Sequence, residues 1–290
     1  MDHGEGAVWS DSWGGLRCVD MFRGDVLTYA DDGSIRRDNL GTMATVVRPV
    51  VGGGALVARQ RDLVLWRPTG GVVPLTGDLV KGNERLNEGG CTPSGDFLIG
   101  SLTPGVASGG RLLRVNGAGR PRVVFESVSV SNGIGFSPEG HRAYYVDSAT
   151  RRVDVLTITH EGSLVDRRPL VEYESPEAPD GLWIDVEGGI WVAVHGGSRV
   201  ERILPDGKRD DTVEIGARQV TSCTFGGPDK STLFVTTSRE GLAKGEDLLA
   251  GGMFAAQTGV RGMPALPFRP APAQFPDSRE IPDRSESCSA

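Results

Sequence analysis

The sequence predicts an all-β chain closed into a six-bladed β-propeller around a central channel. Three observations carry that prediction. First, a unit repeats: Asn87, Asn132, Asp180 and Ser222 each stand eight positions before a turn residue, respectively Gly95, Gly140, Gly188 and Lys230. The segments TPSGDFLIGS, SPEGHRAYYV, DVEGGIWVAV and GPDKSTLFVT each pass from a polar turn into an apolar, β-rich run. Second, the repeat intervals are 45, 48 and 42 residues, within the roughly 40–50 residues of a four-stranded propeller blade. Third, 42 Gly and 18 Pro punctuate short runs of Val, Leu, Ile, Tyr and Trp, and no sustained 3.6-residue apolar stripe signals a helical domain.

Taken in order, GEGAVWSDSWGGLRCVD opens the first unit and puts Glu5 in the register. VVGGGALVAR turns at Gly53, so Thr45 holds the second position, and LVLWRP supplies a further strand. DFLIGSL follows the turn after Asn87, RAYYVDS and RVDVLTI follow Asn132, GIWVAV and RVERIL follow Asp180, and TLFVTTS follows Ser222. Either GMFAAQTGV completes the last blade alone or the start is clipped of a closing strand. Residues 1–265 are then one domain, and the Pro- and charge-rich stretch 266–290 is expected to be a disordered tail.

Composition narrows the function classes. A chain of 290 residues can bury a large core. Its net charge is −7 with pI about 5.2, and it has no dense Lys/Arg cluster, which argues against nucleic acid and anionic membrane as partners. No apolar run approaches the ~18 residues of a membrane span. The pairs Arg36–Arg37, Arg151–Arg152 and Arg167–Arg168 read as solvated strand edges or turns. Cys18, Cys91, Cys223 and Cys288 form no CxxC or zinc spacing; three of them read as reduced core residues and Cys288 as a tail residue, in keeping with a cytoplasmic monomer. Trp9, Trp183 and Trp191 suit packing between blades.

The motifs GEGAVW, RLNEGG, SNGIGFSPEG with YYVDSATRRVDV, PDGLWIDVEGGIWVAVHGG and TSCTFGGPDKSTLFVTT, in this order, resemble the regucalcin/gluconolactonase family of six-bladed propellers. The resemblance implies a divalent metal in the channel held by Glu5, Asn132 and Asp180. It also implies substrate contacts from Arg85 and Asn87, and hydrolysis of small sugar lactones. The residue types agree. Carboxylate and amide oxygens are hard ligands suited to Ca²⁺, Mg²⁺ or Mn²⁺ and less to Zn²⁺, with Ca²⁺ favoured. An Arg fork suits a substrate hydroxyl or carboxylate. Asp180 is the candidate general base for an attacking water.

Other residues have weaker claims. His195 either borders the channel or caps a strand. Ser222 lines the channel, because no His–Asp pattern supports a serine nucleophile. Two departures from the family pattern bear on substrate. Glu88 stands where Asp is common, so its extra methylene pushes the carboxylate further into the channel or turns it away. LIGSLTPGVASGG replaces a small-Gly-Thr-Met run, and Gly105 falls near where some members carry an acidic contact. The same site would also serve an esterase or phosphotriesterase, or a non-catalytic calcium-binding propeller.

Overall fold

The fold is seen in a computed structural model, which describes residues 1–30, 32–67 and 71–272. It is a six-bladed β-propeller: five four-stranded antiparallel sheets and a sixth of three strands. The first strands of the sheets are Gly4–Ser10, Ala44–Pro49, Arg85–Cys91, Ser131–Phe136, Ala178–Ile184 and Val220–Gly226. Each packs against the first strands of the sheets on either side, and the last packs against the first, so these six strands line the axis of a closed ring. The last blade ends with Met253–Gln257 from GMFAAQTGV, paired to Thr232–Thr237. Contacts between neighbouring blades close the ring: Thr221 donates its hydroxyl to the Gly4 carbonyl, and the rings of Trp9 and Phe234 stack at 5.8 Å.

The repeat read from the sequence is a repeat of geometry. Gly53, Gly95, Gly140, Gly188 and Lys230 all have positive φ, and each donates its backbone N–H to the carbonyl three residues earlier. Lys230 is the one non-glycine among them and adopts φ +60. The register positions have a shared geometry too. Every inner strand slips its pairing with the next strand at that point: between Glu5 and Val8, Ala44 and Val46, Ser131 and Ile134, Pro179 and Leu182, Val220 and Ser222, and opposite Leu86 to Gly89. A β-bulge re-aims side chains out of the regular alternation. Here six bulges sit at equivalent depth round one axis.

Inner strands are buried on both faces, which is why they are nearly continuous in small and apolar residues, whereas outer strands such as Ile35–Asn39 and Arg209–Glu214 are charged and exposed. That charge protects the blade edges from pairing with other chains. The core is a series of layers between adjacent blades. Trp191 is fully buried and meets Phe225 of the next blade edge-on at 5.4 Å. Cys18, Cys91 and Cys223 are buried free thiols, and burial pushes Cys18 and Cys91 up to about 12.

The stretch after residue 265 is described only in its first part. Residues 266–272 continue to pack on the propeller, and the rest of the proposed tail, with Cys288, lies outside the described residues. After the last strand the chain bonds to the hairpin turns of blades six and five through Gly262 N–H to Lys230 and Met263 N–H to Ile184. It then crosses the ring to blades two and three, where Phe268 N–H reaches Pro49 and Arg269 N–H reaches Gly95. Phe268 is fully buried among Val50, Phe97 and their neighbours. The prolines that suggested disorder instead hold an extended crossing: they need no N–H partner, and the intervening apolar side chains find a surface to cover. Replacing Phe268 with Ala should cost about 3–5 kcal/mol, read from chemical denaturation. A loss under about 1 kcal/mol, the range of an ordinary surface change, would show that this crossing is not part of the cooperative fold.

Candidate functional site

One end of the channel is polar and is built almost entirely from the bulged positions. Glu5 comes from blade one, Asn87 and Glu88 from blade three, Asn132 from blade four and Asp180 from blade five; all five are buried. Among the described residues, Glu5, Glu88 and Asp180 each offer an oxygen within 4.8 Å of the others. Two of the predicted ligands, Glu5 and Asp180, are thus brought together. Asn132 joins through Asn87, whose side-chain N–H₂ donates to Asn132 Oδ1 at 3.2 Å and to the Ser131 carbonyl at 2.8 Å. Asn132 in turn donates to Ser148 Oγ at 2.8 Å. Arg85 Nη1 donates to Asn87 Oδ1 at 2.6 Å, so the predicted substrate pair is a bonded pair.

The Asn-Gly and Asp-Gly steps at these positions are strand, not turn. A Cβ at Gly133 would lie 2.6 Å from the Leu182 nitrogen, and one at Gly181 would lie 2.8 Å from the Ser222 Cα. Neighbouring inner strands approach too closely for any side chain there, and this is what lets the preceding Asn and Asp reach the axis.

Electrostatics mark the cluster as under strain. Burial, and then the charges of Asp180 and Glu88, hold the Glu5 carboxyl well above its ordinary range. Burial, and then Glu88 and Glu240, do the same to Asp180. Glu88 is also raised by burial, but Arg48 opposes the shift. Asp180 Oδ1 and Glu88 Oε2 are buried with no hydrogen-bond partner among the described residues. Like charges buried together, with unpartnered oxygens, are the condition a hard divalent cation relieves.

Three contributors were missed or underweighted in the sequence. Glu88 stays in the site: its Oε1 accepts from Arg48 Nη2 at 2.9 Å, its Oε2 has no hydrogen-bond partner among the described residues, and its carboxylate lies within reach of Glu5 and Asp180. Arg48 itself is a lone charge in the apolar run TVVRPVV, and a charge on a strand buried on both faces was the available signal. His3, two residues before Glu5, hydrogen-bonds Ser238 Oγ through Nδ1 at 2.7 Å, while its Nε2 lies 3.7 Å from Glu5 Oε1. Burial, then the charges of Arg85 and His195, lower His3 to about 4, so it is neutral at pH 7. His195 ends its strand and is half-buried near this rim. Ser222 is buried against Gly181, and Gly105 lies in an exposed turn with open space around it.

The closed six-bladed ring with an acid-and-amide cluster at one end of its channel defines the class, a propeller with a candidate cation site on its axis. The chain belongs to the SMP-30/Gluconolactonase/LRE-like family, whose model matches residues 3–239. It is 33% identical to regucalcin of Bos taurus over 281 residues, covering 91% of this chain and 94% of the relative. It is 32% identical over 287 residues to L-arabinolactonase of Azospirillum brasilense, covering 93% of each. Among solved structures it is similar to a calcium-binding protein, regucalcin, from Agrobacterium tumefaciens, with TM-score 0.87 and 25% identity over 93% of this chain and 94% of that one. A luciferin-regenerating enzyme matches with TM-score 0.85 and 26% identity over 93% and 96%.

The raised carboxyls make a prediction about the cation-free protein. Where the folded form holds its protons more tightly than the unfolded chain, stability is lost as pH rises above the ordinary carboxylate range. In a chelator, the wild type should therefore lose thermal stability relative to Glu5→Gln as the buffer moves from about pH 4.5 to 8, and added Ca²⁺ should reverse the trend. A melting-temperature difference that stays flat over that range would remove the electrostatic account of the cluster.

Proposed function

We propose that this chain is a divalent-cation-dependent lactonase acting on small sugar lactones. The observation that carries the reading is the convergence of Glu5 and Asp180 on one buried point, with Asn132 linked to it through Asn87. The lactonase relative and the gluconolactonase family description support the reaction class. The neighbour described as calcium-binding supports the cation. Glu5, Asn132 and Asp180 would hold it, and an all-oxygen set favours Ca²⁺ over Zn²⁺. When bound, the cation would polarise the lactone carbonyl and stabilise the negative charge that develops on its oxygen.

The remaining chemistry belongs to the chain. Asp180 Oδ1, buried with no hydrogen-bond partner among the described residues, takes a proton from water while the water oxygen bonds to the carbonyl carbon. The ring C–O bond then breaks, and the proton passes to the departing alkoxide, leaving the open hydroxy acid. Burial and then the neighbouring Glu88 and Glu240 charges raise Asp180; a bound cation would offset those charges, leaving its carboxylate able to accept the proton. Arg85 spends Nη1 on Leu86 and Asn87, which leaves Nε and Nη2 to hold sugar hydroxyls in the fixed fork that Arg provides. Neutral His3, tied to Ser238, gives the rim a hydrogen-bonding ring without adding positive charge.

Three expected outcomes follow for a panel of aldonolactones followed by proton release. Chelation should abolish ring opening and Ca²⁺ restore it, and Asp180→Asn should lower kcat by about 10²–10⁴-fold. Arg85→Met should act mainly on KM, because it removes substrate positioning and not the proton acceptor. Turnover that survives both chelator and Asp180→Asn would defeat the mechanism. Tight cation binding with no turnover on any lactone would instead mark a binding protein.

A further inference from the structure

Arg48 and Glu88 form a fully buried ion pair from different blades, beside the cluster of acids, and the mechanism above makes no use of it. Arg48 is 8% exposed and Glu88 4%. Arg48 is held from three sides. Its Nη2 donates to Glu88 Oε1 at 2.9 Å, and its Nη1 donates to the Gly6 carbonyl at 3.2 Å and to its neighbour Val47 at 2.8 Å. Gly6 follows Glu5 directly, so one guanidinium bridges the strand that carries Glu5 and the side chain of Glu88. The other Glu88 oxygen, Oε2, is buried and has no hydrogen-bond partner among the described residues, while the Glu88 carboxylate still lies within reach of both Glu5 and Asp180.

We propose that Glu88 is a third carboxylate of the cation site and that Arg48 is the positioning residue that aims it there. This rests on the cation-binding part of the function proposed above. Three arguments support it. An unpartnered buried carboxylate oxygen is costly unless something positive faces it, and Arg48 already occupies the opposite oxygen. The charges also balance: Glu5, Glu88 and Asp180 with Arg48 and one divalent ion sum to zero, and the adjoining Arg85 and Glu240 offset each other. Finally, the one Glu88 carboxylate touches Arg48 of blade two and still lies within reach of Glu5 and Asp180.

Cation binding, measured by calorimetry for Ca²⁺ and by sensitised luminescence for Tb³⁺, tests this without reference to turnover. Glu88→Gln should weaken Ca²⁺ binding at least tenfold and Tb³⁺ binding by a larger factor, since the lost charge matters more to a trivalent ion. A merely structural role would weaken both equally. Because Glu88→Gln strands the Arg48 charge, the double variant Arg48→Met/Glu88→Gln serves as the folding control. It should keep the cation-free melting temperature and bind Ca²⁺ no more weakly than Glu88→Gln alone. Wild-type binding with Glu88→Gln within twofold of it, for both ions, overturns this proposal and leaves the lactonase reading standing. Failure of the wild type to bind either ion overturns both.

Discussion

Three carboxylates buried at one point are the constraint on which the rest of this molecule turns. Taking an ionised carboxylate out of water costs several kcal/mol even after relaxation, and Glu5, Glu88 and Asp180 lie together where water cannot screen them. The fold tolerates the cluster because the surrounding ring is rigid and because its neighbours are chosen for charge. Arg48 offsets one acid, and the other two keep their protons more tightly than exposed acids do. His3 stays neutral beside them. A propeller suits this arrangement: every acid comes from a different blade or a different bulge, so no single loop has to hold opposing charges together.

The two ends of the channel are not alike. At one end the bulged inner strands present polar side chains. At the other, the segment Met263–Leu266 lines, with Arg48, Ile134, Leu182 and Trp183, a largely apolar pocket of about 340 Å³. The Trp183 indole donates to the Met263 carbonyl at 2.9 Å and fixes where the crossing begins. Arg48 contributes to both ends, because its strand runs from the cavity toward the cluster.

Much of this was legible in the chain. A turn residue with positive φ recurs after each polar register position because each blade repeats one hairpin, so Gly53, Gly95, Gly140, Gly188 and Lys230 could be aligned without a structure. Equivalent positions in a closed ring must face the same axis, and Asn87, Asn132 and Asp180 follow from that, while Glu5 comes chiefly from the motif GEGAVW. Arg48 could not be found this way: it lies three residues past Thr45, its own blade's register position, and only the approach of blade three makes it a partner for Glu88. His3 falls outside the register as well, and its meeting with Ser238 depends on ring closure across 235 residues of sequence.

The sequence by itself determined the blade count, the register of channel-facing residues and the oxygen-only character of the site, because these follow from periodicity and residue type. Tertiary structure alone decided which of those residues share a point, what neutralises them and where the chain after the last strand goes. Pairings between blades depend on distances across the ring, which no local pattern encodes. The Pro-rich stretch 266–272 shows the same limit: its composition carries no strand signal, and its bonds to blades two and three are set by the tertiary structure.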